Sequence, residues 1–332
     1  MRILITGGAG FIGSHLADLL VAQGHHVLVV DDLSTGRMAN VEHLLAEDRF
    51  RFFNDTILNE SLMDGLIAGA DQVYHLAASV GVKHIIDDPV GGIHTNVTGT
   101  SVVLEKAAVH EKRIVIASSS EVHGKSTEIP LGEDGDCLLG PPTVRRWSYA
   151  LSKAIDEHLA LAYASSGLQV SVVRYFNAYG PRLDARGYGS VVARFIGQAQ
   201  QGRPITVYGD GQQTRCFTYV DDTVRGTFLA GTVPEAVGKV FNIGSDREIA
   251  VNELAEIIRD LVGSGSEMTH QPFHRAFGEG FEETRRRVPD IRRAAEILGF
   301  QAQVPLDEGL RRTISWFRHV EPRNSTDNTD PS

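Results

Sequence analysis

The chain has 332 residues, 42% of them hydrophobic and 22% charged, with a formal charge of −10 at pH 7. That balance describes a globular protein of one large or two ordinary α/β units, and its acidity excludes a general affinity for nucleic acid or anionic membrane. No apolar run approaches the ~18–20 residues that span a bilayer, no signal-peptide layout opens the chain, and two distant cysteines, Cys137 and Cys216, point to a reducing cytoplasm. In chain order, β-branched runs at residues 2–6, 26–30, 51–53, 72–76, 113–117 and 170–174 read as buried strands. Amphipathic stretches at 12–23, 41–47, 96–110 and 149–165 alternate with them as helices. Such alternation predicts βαβ units and a parallel, doubly wound sheet. Beyond about Gly180 the pattern loosens into a helix over 190–201, a strand and turn over 205–211, and helices over 221–231, 251–262 and 306–319.

Gly7, Gly10 and Gly13 stand at G-x-x-G-x-x-G spacing, directly after the first strand and at the start of the first helix. Glycine there lets the backbone turn sharply and approach a pyrophosphate, which the free N–H groups of the helix start then hold. Asp31 ends the second strand about 20 residues later, where a carboxylate binds ribose hydroxyls. Its charge repels a 2′-phosphate and favours NAD over NADP, a preference that Arg37 weakens. The expected organisation is therefore a Rossmann-type NAD-binding domain at 1–180 carrying the catalytic residues. A smaller mixed substrate-binding subdomain follows at 181–320, with segments returning to the sheet, and a disordered polar tail at 321–332.

Tyr149 and Lys153 sit at i and i+4 on one face of a predicted helix. A lysine beside a tyrosine stabilises the phenolate, so the phenol can take a proton from a substrate hydroxyl while hydride leaves for the nicotinamide. The strand at 113–117 delivers Ser118-Ser119-Ser120-Glu121 to the sheet edge where such folds bind ligands. His270 and His274 invite a metal site, but Pro272 between them disfavours the helix that would align them, and no metal is expected.

Together these segments resemble the extended short-chain dehydrogenase/reductase family, in its NAD-dependent nucleotide-sugar epimerase/dehydratase branch. The resemblance runs from about Arg2 to His319. It rests on TGGAGFIG at 6–13, DDLSTG at 31–36, HLAA at 75–78, SSSEVHG at 118–124, YALSK at 149–153, RYFNAYGPR at 174–182 and TRCFTYVDD at 214–222. It implies Tyr149 as base, Lys153 as its electrostatic partner, Ser119 as the hydroxyl-orienting residue, and Ser120 and Glu121 as further catalytic-loop residues. NAD contacts are implied for Gly7, Gly10, Phe11, Ile12, Gly13, Asp31, Asp32, Ser34, Gly36, Asp55, Leu76, Ala77, Ala78, Asn96, Tyr149 and Lys153. Asn177, Arg182 and Arg215 are implied to hold a nucleotide sugar, with arginine facing the diphosphate. A homodimer built on the helices at 96–110 and 149–165 is the family's habit. His123 departs from the tyrosine that often precedes the glycine.

Members of this branch begin by oxidising C4 of the sugar. The 4,6-dehydratases typically carry adjacent Asp and Glu where this chain has Ser120-Glu121, which disfavours dehydration. Ser-Glu occurs in UDP-glucuronate decarboxylases, which RWSYALSK, GPRLD and TRCFT also resemble. Asp184 stands where plant-type UDP-glucuronate 4-epimerases often have arginine, and Arg182, Arg186 or Arg194 would be left to meet a carboxylate. The leading expectation is 4-epimerisation, which asks for no group beyond Ser119, Tyr149 and Lys153; decarboxylation is the alternative. Tyr149 and Lys153 together argue against a scaffold that kept only the fold.

Overall fold

Apolar runs without alternation belong in strands covered on both faces, and the chain uses them that way. A computed structural model describes residues 1–81, 88–184, 190–278 and 281–320. Strands β1 (Arg2–Thr6), β2 (His26–Val30), β3 (Phe50–Phe53), β4 (Gln72–His75), β5 (Arg113–Ser119), β6 (Val170–Tyr175) and β7 (Val240–Ile243) form one parallel sheet. Their order is β7-β6-β5-β4-β1-β2-β3. The winding direction reverses between β1 and β4, so a crevice opens at the carboxyl ends of those strands.

The principal helices are α1 (Phe11–Ala22), α2 (Glu60–Ala68), α3 (Gly99–Val109), α4 (Trp147–Ser165), α5 (Val191–Gln200), α6 (Val220–Thr232), α7 (Val251–Val262) and α8 (Leu306–Val320). Alternate strand residues feed two cores. Ile3, Ile5 and Val115 pack with Leu16 and Leu20 of α1 and Val224 of α6. Leu4, Ile114 and Ile116 pack with Met63 and Ile67 of α2, Val103 of α3 and Ala160 of α4. The result is a Rossmann-type α/β sandwich. Small sheets flank it: Ile205–Tyr208 pairs in parallel with Met268–Gln271, and in a mixed sheet Thr214–Cys216 lies between Glu248–Ala250 and Arg286–Arg287.

Several expectations need correction. Residues 41–47 are not an α-helix. The 3₁₀ turn Glu42–Leu44 stands there instead, following another at Met38–Asn40, because so short a segment cannot offset the cost of helix nucleation. The helix expected from Asn96 begins as a π-helical turn, His94–Thr98, before α3. Strand β7 and helix α2 were not read from the pattern at all. Pro272 ends the strand carrying His270 and precedes the short helix Phe273–Phe277 that carries His274, so the two histidines lie on different elements. The expected tail at 321–332 lies outside the described residues, among which no helix is long and apolar enough to cross a membrane.

Candidate active site

A cavity of about 440 Å³ opens at the reversal point, lined by the segments that follow β1, β2, β4, β5 and β6. Its first wall is the glycine turn. Gly7 adopts φ +71°, and a Cβ there would lie 2.7 Å from the Ala77 backbone. A Cβ on Gly13 would lie 2.2 Å from the Gly7 carbonyl oxygen. Helix α1 starts at this turn with neither a side-chain cap nor an acidic residue in its first turn, which leaves its N–H groups for an anion. Asp31 closes the turn: its carboxylate accepts from Ala9 N at 2.9 Å and Leu33 N at 2.9 Å. Burial raises its pKa, against the pull of those amides. Gly36 does not line the cavity but packs on Asp31, whose Oδ1 a Cβ would meet at 2.6 Å. Asp32 binds Ser34, Asp55 caps the turn toward Asn59, and Phe11, Ile12, Leu76, Ala77 and Ala78 complete the lining. Arg37 is clasped by Asp184 at 2.5 Å across the mouth, which occupies the one cation near Asp31 that sequence reading had set against an NAD preference. A glycine cradle, an uncapped helix start and a fixed carboxylate fit a dinucleotide with a free ribose diol.

On the opposite wall, α4 presents Tyr149 and Lys153 to the cavity. Ser119 lines the cavity beside Tyr149, and its Oγ accepts from Glu121 N at 3.2 Å and so caps the turn Ser120–His123. Lys153 is buried, with Nζ donating to Ala117 O at 3.0 Å and to Asp156 Oδ2 at 3.1 Å. The expected depression of the phenol pKa is not found. Burial pushes Tyr149 up, the Glu121 and Asp156 charges push the same way, and only Ser119 opposes them.

Glu121 anchors a cluster that sequence reading missed in part. Its carboxylate accepts from Arg287 at 2.7 Å and from Arg146 at 3.3 Å, and both arginines line the cavity. Burial acts to raise the Glu121 pKa, but Arg287 and Arg146 outweigh it and hold it at about 2. Glu283 pairs with Arg146 at 3.1 Å and with Arg215. Three arginines thus face two glutamates, a surplus of positive charge suited to an anionic ligand. Arg215 itself is buried behind this cluster, outside the cavity lining, with its pKa pushed down to about 10 by burial and by Arg287. Asn177 and Arg182 line the cavity, Arg182 pairing with Asp18 at 2.7 Å. Asn96 does not: it is buried beside the site, bonding Ser79 N at 2.7 Å and Ser152 Oγ at 3.1 Å. His123 lies behind the wall near Arg174, kept neutral with a pKa of about 3 by burial and that charge. Arg186 falls outside the described residues, and Arg194 stacks on Tyr208, 4.2 Å from its ring centre.

Fold and cavity define a dinucleotide-binding α/β protein with a tyrosine–lysine–serine centre. The family model for GDP-mannose 4,6 dehydratase matches residues 4–313, and the chain belongs to that family of extended short-chain dehydrogenases/reductases. It is 44% identical over 320 residues to the UDP-N-acetyl-alpha-D-glucosaminuronate decarboxylase of Bacillus cytotoxicus, covering 96% of this chain and 98% of the relative. It is 40% identical to UDP-glucuronic acid decarboxylase 1 of Xenopus tropicalis, covering 96% of this chain and 72% of that protein. Among solved structures, the UDP-glucuronic acid 4-epimerase of Bacillus cereus, in complex with UDP-glucuronic acid and NAD, superposes with a TM-score of 0.83 at 30% identity. That match covers 96% of this chain and 99% of the other.

Proposed function

We propose that this protein is an NAD-dependent decarboxylase of a UDP-hexuronate. The observation that carries the reading is Glu121, held ionised between Arg146 and Arg287 on the same turn as Ser119. Two decarboxylases among the relatives support it. They move the lead from epimerisation, favoured as the family's commonest outcome with the fewest chemical requirements, to the alternative, which asks for more groups at the site.

When bound, the nicotinamide supplies a hydride acceptor for C4 and can return the hydride later. Tyr149 takes the C4 hydroxyl proton, and Ser119 holds that oxygen in line. The resulting ketone lies β to the C6 carboxylate. The C5–C6 electron pair can therefore flow into an enolate as CO₂ leaves, and C5 then takes a proton. Arg146 and Arg287 hold the anionic substrate, while the ionised Glu121 disfavours its carboxylate in the ground state and is relieved as CO₂ departs. Lys153, with one donor left toward the cavity, would hold the cofactor ribose.

Epimerisation remains the second reading, because Ser119, Tyr149 and Lys153 alone meet its needs. The C2 substituent is hydroxyl or N-acetyl, as in the two decarboxylase relatives. A homodimer through α3 and α4 would cover Val109 and Leu151, which stand exposed on them at 65% and 49%. The test is product analysis after incubation with each UDP-hexuronate: a UDP-pentose with release of CO₂ supports the reading, and an intact 4-epimeric uronate overturns it.

A further inference from the structure

Asp156 carries a carboxylate that is 0% exposed, on the same face of α4 as the two reacting residues. Tyr149, Lys153 and Asp156 fall at i, i+4 and i+7, so the three are stacked along one stripe of the helix. A buried carboxylate is costly unless it is paired, and Asp156 is paired with Lys153 at 3.1 Å. With Ala117 O on a second donor, the ammonium keeps one N–H for the cavity.

Behind Asp156 runs a buried polar chain. Thr100 stands beside Asp156, whose Oδ1 has no hydrogen-bond partner among the described residues, and His75 Nε2 bonds Thr100 Oγ1 at 2.9 Å. His75 Nδ1 bonds Thr6 Oγ1 at 2.7 Å, and Thr6 Oγ1 accepts from Ala77 N at 3.3 Å. The directions agree if His75 carries its proton on Nε2, and burial and the Lys153 charge keep that ring neutral with a pKa of about 3. Asp156 is thus a buried anion paired to Lys153, standing at the end of a polar chain that runs from Thr100 through His75 and Thr6 to Ala77 N.

We propose that Asp156 is a positioning residue of the Tyr149–Lys153 pair: it anchors the buried ammonium on the face of α4 that carries Tyr149 and sets the pH above which Tyr149 takes a proton. The proposal rests on the reading of Tyr149 as base. The charges facing Tyr149 are Lys153 and Asp156 from α4, Glu121 from the turn after β5, and Arg146 and Arg287 paired to Glu121. Facing Asp156 are Lys153 and Glu157 of its own helix. Removing the Asp156 charge favours the phenolate, so the phenol titrates lower and base catalysis begins at lower pH.

The test uses the NAD-loaded enzyme and follows single-turnover C4 oxidation against pH. Asp156→Asn is expected to move the acidic limb down by about one pH unit, with the sugar-nucleotide KM unchanged. Asp156→Glu, which keeps the charge, is expected to return the limb to its wild-type position. An ultraviolet titration of the Tyr149 phenol, with Tyr149→Phe as blank, should move the same way without any turnover. A limb and a titration that stay in place in folded, NAD-loaded Asp156→Asn would overturn the proposal. If Asp156→Asn does not fold, Asp156→Ser, which leaves room for a water, reads the same shift. An enzyme that oxidises C4 but releases no CO₂ would end the decarboxylase reading and leave this one standing.

Discussion

Arg287 Nη1 lies 2.7 Å from Glu121 Oε1, joining residues 166 apart in sequence at the wall of the cavity. Arg287 comes from the last strand of a small flanking sheet, and Glu121 from the turn that leaves β5. The pair therefore couples the catalytic turn to the part of the chain expected to hold substrate. Arg287→Met removes the charge but keeps much of the stem. It is expected to raise the KM for a UDP-hexuronate and to slow CO₂ release more than C4 oxidation. Comparing the two rates by stopped flow and by trapped CO₂ checks this; equal losses in both would contradict it.

The same pair fixes a pH dependence. The folded Glu121 pKa of about 2 lies below its ordinary 4.5, because the arginine charges outweigh burial. Its stabilising contribution is therefore complete above about pH 4.5 and is lost as pH falls toward 2. Thermal unfolding of wild type and Glu121→Gln at neutral and acid pH should show the stability gap narrowing with acid. A gap that widens would reverse the assigned charge.

Asp31→Ala should weaken NAD retention by about 10- to 100-fold, the worth of hydrogen bonds from two hydroxyls to one carboxylate. Calorimetric titration of the stripped protein measures it. Equal affinity in the variant would remove Asp31 from the ribose.

Gly13→Ala places a methyl 2.2 Å from the Gly7 carbonyl oxygen, backbone that cannot rotate away. The expected cost is about 1–3 kcal/mol of stability, together with loss of the cofactor. A variant that is as stable as wild type and purifies with NAD would contradict the cradle.

Much of this was legible in sequence because it is local. Buried runs such as Ile3-Leu4-Ile5 announce central strands, the glycine spacing and the Tyr149–Lys153 step each span a few residues, and Asp31 follows the glycines within one βαβ unit. What was not legible is non-local. Arg146 and Arg287 reach Glu121 from 25 and 166 residues away, and no spacing rule connects them. Asn96 lies beside the cavity, but its amide serves Ser79 and Ser152 rather than the lining. Residues 41–47 look helical by pattern, yet they hold only the 3₁₀ turn Glu42–Leu44, because so short a segment cannot offset helix nucleation.

Tyr149→Phe keeps the ring's packing and removes the phenol, so NAD binding should persist while C4 oxidation falls by about 10²–10⁴-fold. Nicotinamide absorbance after one turnover reads the loss. A wild-type rate in the variant would make Glu121 the next candidate for the base.

The most direct measurement is NMR of the products formed by the NAD-loaded enzyme from UDP-glucuronate and from UDP-N-acetylglucosaminuronate. Decarboxylation predicts that one of them loses its C6 carboxylate, giving a UDP-pentose and one equivalent of CO₂. Recovery of a C6-intact uronate inverted at C4, with no CO₂ from either substrate, would contradict it.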